Sequence, residues 1–316
     1  MKVAALAGGV GAGKFLRGLV RVVPPEDVTV IVNTGDDLTL HGLHVSPDID
    51  SVTYWLSDLA DRDRGWGRRD ETFRALEEVR RLGGEAWFSL GDLDLGTHLT
   101  RTHWLHEGVT LSEATDRIRT ALGIRSVILP MSDQQVTTWI DAIDEESGAA
   151  VSIPFQVYWV ARDARDEVKA VRFEGVDRAR PAPGAEEAIR DADVVVICPS
   201  NPVVSVSPIL AVPGLRAAVE ARQDAVVGVS PIVRGAPVAG MADRLMPAAG
   251  LEVTASGAAA AYRGLLAAWV IDERDAELGP AIEADLGIRV GVTDTLMTDD
   301  PAAERVARAA LSLLDG

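Results

Sequence analysis

The sequence predicts an α/β protein, a Rossmann-like, mostly parallel sheet flanked by helices, with a largely helical lobe inserted into it. Three observations predict this. A strand, a glycine turn, a helix and a second strand follow one another within about thirty residues, the βαβ signature of a parallel sheet. Further short apolar runs without polar alternation recur after residue 190, as expected of strands covered on both faces. Between them, residues 51–123 carry dense charge, several His and Trp residues, and helix-start signals instead of strand runs.

Taken in order, Val3 to Ala7 is the first buried strand and Gly8-Gly-Val-Gly-Ala-Gly13 the turn after it. A helix is expected from about Lys14 to Val22, stopped by Pro24-Pro25, and Val28 to Asn33 is the second strand. Within 51–123, Asp70-Glu71 opens a helix whose apolar face is Phe73, Leu76, Val79 and Leu82, closed by Arg80-Arg81 and Gly83-Gly84. Thr110-Leu-Ser-Glu113 is a capping box for a second helix carrying Ala114, Ile118 and Leu122. Val194 to Cys198 and Ala225 to Val229 are buried strands; Leu266 to Ile271 and Ile288 to Val292 add two more. Asp299-Asp300-Pro301 begins the last helix, with proline at its first position. With no repeat, low-complexity tract or linker, residues 1–316 read as one structural unit with the lobe attached.

Composition bounds the function. Apolar residues make up 47% and charged residues 25% of the 316, enough to fill a core without disulfides or metals. The single cysteine, Cys198, excludes an intrachain disulfide and fits a reducing compartment. No secretory signal and no apolar stretch of membrane-spanning length is legible, so a cytoplasmic protein without membrane attachment is expected. The net charge of -17 argues against nucleic-acid binding, because a phosphate backbone wants a basic surface. An anionic substrate must then be met locally, by backbone N–H groups, a few Arg or Lys, or a divalent cation.

The glycine turn offers such a device. Gly8-x-x-x-x-Gly13-Lys14 follows most of the phosphate-loop pattern, but Phe15 stands where Ser or Thr would place a hydroxyl on Mg²⁺, so an ordinary P-loop NTPase is not expected. Glycines after a strand still allow close backbone approach, and the following helix offers free N–H groups to an anion. Gly8, Gly9, Gly11, Gly13 and Lys14 are therefore candidate phosphate contacts, the alternative being a tight turn without a ligand.

A second device is acidic. Asn33-Thr-Gly-Asp36-Asp37 closes the second strand at the carboxyl edge where open parallel sheets bind ligands. Ser46-Pro-Asp48-Ile-Asp50-Ser51 follows, and in an extended segment Asp48 and Asp50 would point to the same side. With Asp37 they would supply the few carboxylates that Mg²⁺ needs beside substrate phosphates; the alternative is that they cap helices and form turns. His41 and His44 have no cysteine or HExxH context that would indicate zinc. Asn33, in place of an acidic residue ending the second strand, and the spacing of Gly9, Gly11 and Gly13 argue against a dinucleotide dehydrogenase.

These motifs, in this order, resemble the 2-phospho-L-lactate transferase family, which builds the deazaflavin coenzyme F420. The resemblance is carried by Gly8 to Lys14, Asn33 to Asp37, Ser46 to Ser51, Asp63-Arg-Gly-Trp-Gly-Arg-Arg-Asp-Glu-Thr72 and Trp87-Phe-Ser-Leu-Gly-Asp-Leu-Asp-Leu-Gly-Thr-His98. Pro130 to Asp133, Phe155 to Val160, Pro199 to Leu210, Val229 to Ile232 and Gly240 to Asp243 extend it over nearly the whole chain. It implies transfer of a phospho-acid unit, phosphoenolpyruvate or 2-phospho-L-lactate, from a guanosine-diphosphate-activated donor to the terminal hydroxyl of the deazaflavin Fo (7,8-didemethyl-8-hydroxy-5-deazariboflavin), with release of GMP. The enolpyruvyl donor is the one favoured in actinobacteria, whose GC-rich coding the Arg, Ala and Gly bias of this chain suggests.

The resemblance also implies Mg²⁺ on Asp37 and Asp50, and Asp48 or Asp50 orienting the Fo hydroxyl or taking its proton. Ser200 and Asn201, with the glycine turn, would hold the nucleotide half; Asp50, Trp87, Ser89, Asp92 and Thr97 would line the Fo half, with Trp87 stacking on the ring. A homodimer is implied by the family. Two departures stand out: Gly11-Ala-Gly-Lys14 transposes the family's usual Gly-Gly-Ala-Lys or Arg, and Gly91-Asp-Leu-Asp94 lacks the arginine of the family's Gly-Asp-Arg-Asp. The competing reading is a nucleotide-sugar-binding regulatory protein of the same superfamily, without Fo chemistry.

Overall fold

The computed structural model describes residues 1–314. Its centre is a seven-stranded sheet, and every pairing in it is parallel. In chain order the strands are β1 (Val3–Ala7), β2 (Val28–Val32), the hairpin β3 (Leu38–Leu40) and β4 (Leu43–Val45), β5 (Val127–Pro130), β6 (Thr137–Ile143), β7 (Ala150–Pro154), β8 (Glu167–Glu174), β9 (Val194–Ile197), β10 (Val226–Val229), the short pair β11 (Ile232–Val233) and β12 (Ala236–Pro237), β13 (Ala268–Asp272) and β14 (Arg289–Thr293). The large sheet runs β14-β13-β10-β9-β1-β2-β5, so the chain winds outward from β1 in one direction and then returns to wind outward in the other. The reversal lies between β1 and β9, and the crevice beyond their carboxyl ends is where doubly wound sheets hold ligands.

The central strands are apolar throughout because both faces are covered. Val3, Ala5 and Ala7 of β1 belong to one core with Val28, Val30 and Val32 of β2; Ala4, Leu6 and Ile31 belong to the core on the opposite face. The first core is roofed by α1 (Gly9–Val22), by α2 (Pro47–Leu56) and by the C-terminal helix Asp300–Ser312, through Phe15, Leu16 and Leu19, Ile49 and Val52, and Val306, Ala307 and Leu311. The second is covered partly by β7-β6-β8, an antiparallel sheet between β5 and β9 that the sequence did not predict.

Several elements shift from expectation. α1 begins at Gly9 rather than about Lys14, so most of the glycine turn is itself the first turn of the helix, with Gly8 as its N-cap. Ser46 to Ser51 is not extended: Ser46 is the N-cap and Pro47 the first residue of α2, which puts Asp48 and Asp50 in a helical first turn. They consequently point in different directions. The helix expected from Asp70 is α3 (Arg74–Arg81), preceded by Asp70 in the left-handed region, and Leu82 of its predicted apolar face is exposed. Pro301 is the second rather than the first residue of the last helix, whose N-cap is Asp299. The capping box predicted at Thr110 and Glu113 is present and starts α5 (Leu111–Ala121). Residues 57–106, with α3 and α4 (Asp92–His106), form the lobe beside the cleft, whereas α2 and α5 pack on the sheet.

Candidate active site

The glycine turn sits where the sheet reverses. Ser200, in the loop after β9, donates its hydroxyl to the Gly8 carbonyl at 2.8 Å, which joins the ends of β1 and β9. Its neighbours explain the glycines as much as any ligand does. A Cβ on Gly8 would come within 2.6 Å of the Ser205 Cβ and 2.7 Å of Asp48 Oδ2. One on Gly11 would meet the Pro199 carbonyl, and one on Gly13 the Trp55 ring. Asn201 is likewise engaged, accepting the Val203 N–H at 2.9 Å to cap the turn that follows it. Lys14 lies with its ammonium 5.8 Å from the Trp55 ring centre, on the lobe side.

The carboxylates gather in the same crevice. Asn33 ends β2 and donates its side-chain N–H to Asp48 Oδ2 at 2.9 Å, while its carbonyl oxygen accepts the Gly35 N–H at 2.8 Å. Asp48 also faces the Gly9 N–H, so one carboxylate of the protein lies at the amino end of α1. Burial pushes the Asp48 carboxyl up to about 7, against the opposing pull of those two donors. Asp36 is raised well above the usual carboxylate range, first by burial and then by the charge of Asp48. Asp37 is raised by burial despite its 3.0 Å contact with His44 Nε2.

The arrangement fits a hard divalent cation. Asp36 Oδ1 and Asp37 Oδ1 are buried without a hydrogen-bond partner, which is costly for a carboxylate unless an ion or water completes it. No set of three His, Cys, Asp or Glu among the described residues forms a ready-made metal cage. Mg²⁺ needs none, because it keeps several waters and takes one or two carboxylates plus substrate phosphates.

Asp50 faces the other way. Both its oxygens accept from the Arg101 guanidinium, Oδ2 from Nη1 at 3.1 Å, and neither residue is appreciably exposed. The ring nitrogens of buried His98 approach Asp50 Oδ2 at 3.6 Å and Asp94 Oδ1 at 3.3 Å. Tyr54 donates its hydroxyl to Asp94 at 2.5 Å and lies 3.0 Å from the Thr97 hydroxyl. Asp37 and Asp50, expected to act together on a metal, therefore have different principal partners, and Asp36 joins Asp37 and Asp48 instead.

Of the residues expected around Fo, Asp50 and Thr97 share one network through His98, Asp94 and Tyr54, and the others have local partners of their own. Thr97 belongs to the Tyr54 network. Trp87 packs edge-on against Phe88 in a small cluster with Leu40, Val45 and Leu90, and Ser89 is exposed beside it. Asp92 accepts the N–H groups of Arg74 and Ala75 and the Thr72 hydroxyl, and so caps α3. Glu71 returns the favour to α4, accepting the Leu93 and Asp94 N–H groups. The sequence singles out no role for Arg101, His98 or Tyr54, and offers Asp94 only as a carboxylate of the Gly91 to Asp94 turn expected to hydrogen-bond Fo. Their one signal is spacing: Asp94, His98 and Arg101 lie at i, i+4 and i+7 on one helical face.

Residues 3–285 match the profile of the 2-phospho-L-lactate transferase CofD family. The chain belongs to that family. It is 47% identical over 320 residues to the phosphoenolpyruvate transferase of Kitasatospora aureofaciens, covering 100% of this chain and 98% of that protein. It is 39% identical over 309 residues to the 2-phospho-L-lactate transferase of Methanosarcina barkeri, covering 98% and 97%. A UPF0052-family protein of Bacillus halodurans superposes with a TM-score of 0.64 over 98% of both chains at 19% identity, a likeness of fold. As a CofD-family member the chain is a transferase, and no helix among its described residues is long and apolar enough to cross a membrane.

Proposed function

We propose that this CofD-family transferase moves a phosphoenolpyruvyl unit from a guanosine-diphosphate-activated donor to the terminal hydroxyl of Fo and releases GMP, a step of coenzyme F420 assembly. The observation that carries the reading is the group of buried carboxylates Asp36, Asp37 and Asp48 against the glycine turn, in a chain matched to the family over residues 3–285. Relatives named phosphoenolpyruvate transferase range from 38% to 47% identity, with four at 44–47%, and two named 2-phospho-L-lactate transferase stand at 39–40%; the upper group favours the enolpyruvyl donor.

The transfer balances simply. The Fo hydroxyl oxygen bonds to the phosphorus bearing the acid, the bridging P–O bond to GMP breaks, and the hydroxyl proton passes to a carboxylate. Asp48 suits that last task, because a base poised near neutrality is ionised yet basic enough to take a proton. Asp36 and Asp37, whose Oδ1 atoms lack protein partners, would hold Mg²⁺ with Asp48 close by. When bound, Mg²⁺ neutralises the diphosphate and the charge developing on the departing nucleotide. The N–H groups at the start of α1 beyond the Gly9 N–H that faces Asp48 would be the donors for the nucleotide phosphates. Asp50 faces the lobe, the side on which the Fo ring would lie.

The test is a product assay. Purified protein is mixed with Fo, Mg²⁺ and each guanosine-diphospho acid in turn, and deazaflavin product and GMP are followed by chromatography and mass. Product with the enolpyruvyl donor alone is expected. No product with either donor, from folded protein that still binds a nucleotide sugar, would sink the transferase assignment to Fo and favour the regulatory reading.

A further inference from the structure

Arg101 is the one Arg or Lys among the described residues that is fully buried. A guanidinium taken out of water is costly unless it is paired and hydrogen-bonded on all sides. Arg101 is not fully satisfied: its two terminal nitrogens go to Asp50, and its Nε has no partner. An apolar pair of similar volume would hold α4 against α2 equally well or better. Adhesion of the lobe to the body therefore does not explain the pair.

Its placement does. Asp50 lies two residues after Asp48 on α2, so its helical neighbour feeds the carboxylate cluster while Asp50 turns to the lobe. The end-on fork of Arg101 fixes the plane of the Asp50 carboxylate, which a single ammonium could not do. The same cation reaches Asp37 electrostatically, so it offsets negative charge in a crevice crowded with it. His98 borders Asp50 on the same face, and Asp94 and Tyr54 extend the contact to the lobe side of the cleft.

Resting on the function proposed above, we infer that Arg101 is a positioning residue: it holds the Asp50 carboxylate in the orientation that aligns the acceptor hydroxyl for attack. Arg101 itself touches no substrate. Its effect runs through Asp50 and is confined to the acceptor half of the reaction.

The experiment compares Arg101→Lys, Asp50→Asn and the double variant with the wild-type chain, reading kcat, KM for each substrate and thermal stability. Lysine keeps the charge and most of the volume but loses the fork. Expected for Arg101→Lys is a fall in kcat on the order of 10²-fold, the scale of a small misplacement of a reacting group. The donor KM should stay within about twofold, and the double variant should be no worse than the poorer single one, as residues acting as a unit are non-additive. Turnover by Arg101→Lys near the wild-type rate, or losses that multiply in the double variant, would overturn the inference while leaving the function standing. A loss of activity that tracks a falling Tm, with both KM values unchanged and the double variant additive, would equally reduce Arg101 to a structural role. No turnover by the wild-type chain fells the functional reading, and this one with it. Should Arg101→Lys fail to fold, Asp50→Asn decides: unchanged turnover there removes the residue through which Arg101 is argued to act.

Discussion

At the scale of single residues, the acidic crevice makes a prediction about pH that has a definite sign. The carboxyls of Asp36 and Asp48 are raised by burial, Asp48 to about 7, whereas in the unfolded chain both sit near 3.9. Between about pH 4 and 7 the folded protein thus binds more protons at these groups than the unfolded one, and stability falls as pH rises through that window. In chelator, thermal melts of the wild-type chain should drop from pH 5 to pH 8 more steeply than those of Asp48→Asn. Mg²⁺ should raise the Tm more at pH 8 than at pH 6, since it competes with protons for the same oxygens. Parallel pH profiles for the two proteins would show that Asp48 is not strained in this way.

At the scale of elements, the lobe is tied together by an exchange of caps. Asp92, in the first turn of α4, caps α3, and Glu71, just before α3, caps α4. Asp92→Ala leaves the first N–H groups of α3 without their acceptor, so it should lower urea stability and expose α3 amides to hydrogen exchange. If Asp92 serves the cap alone, the KM for Fo changes little; a rise of tenfold would place it against the ligand as well. This exchange also shows where sequence reading stops. Asp70-Glu71 carries a valid helix-start signal, yet Glu71 serves another helix, twenty-two residues ahead, and no local pattern records that.

The same limit explains the rest. The buried runs of β1, β2, β9, β10 and β13 are legible because burial on both faces leaves little polar to confuse them. Strand β6 is not: its inward side is Thr138, Ile140 and Ala142, while its outward side carries Trp139 and Ile143, so polarity does not follow the pleat. Ser46 to Ser51 reads as an extended segment with its Asp residues on one side, although Pro47 behind a serine is equally a helix start. Asp37 and Asp48 could be singled out from position alone. Arg101 could not, because a buried guanidinium has no sequence signature until its carboxylate is seen across fifty-one residues.

At the scale of the whole molecule, the last helix closes on the first, and two residues test how tightly. Gly18 lies in α1 against the C-terminal helix, and a Cβ there would fall 2.2 Å from the Ala303 carbonyl carbon and 2.6 Å from the Glu304 nitrogen. Alanine in a helix interior ordinarily gains about 0.5–1 kcal/mol over glycine. Here the obstacle is backbone, which cannot swing aside, and overpacking of this kind costs about 1–3 kcal/mol. The clash wins, so Gly18→Ala should destabilise, whereas an unchanged or raised Tm would mean the two helices are free to part.

The second residue, Asp300, opens that C-terminal helix and accepts from Arg17 of α1 through Nε at 2.5 Å and Nη2 at 2.9 Å. Arg21 and Arg62 converge on it as well, so the end of the chain is bound to α1 and to the root of the lobe at one carboxylate. The Arg17 hydrogen bonds, against a smaller opposing effect of burial, hold its carboxyl down at about 2. A depressed carboxyl stabilises fully above its unfolded value near 3.9 and loses that contribution as pH falls toward 2. The difference in Tm between the wild-type chain and Asp300→Asn should therefore be constant from pH 8 to 5 and shrink below pH 4. Salt should narrow it only in part, because Arg17 is largely withdrawn from solvent. A difference that stays constant down to pH 2, or one abolished by moderate salt, would show that the closure rests on the apolar contacts of Val306, Ala307 and Leu311 and owes nothing to this cluster of arginines.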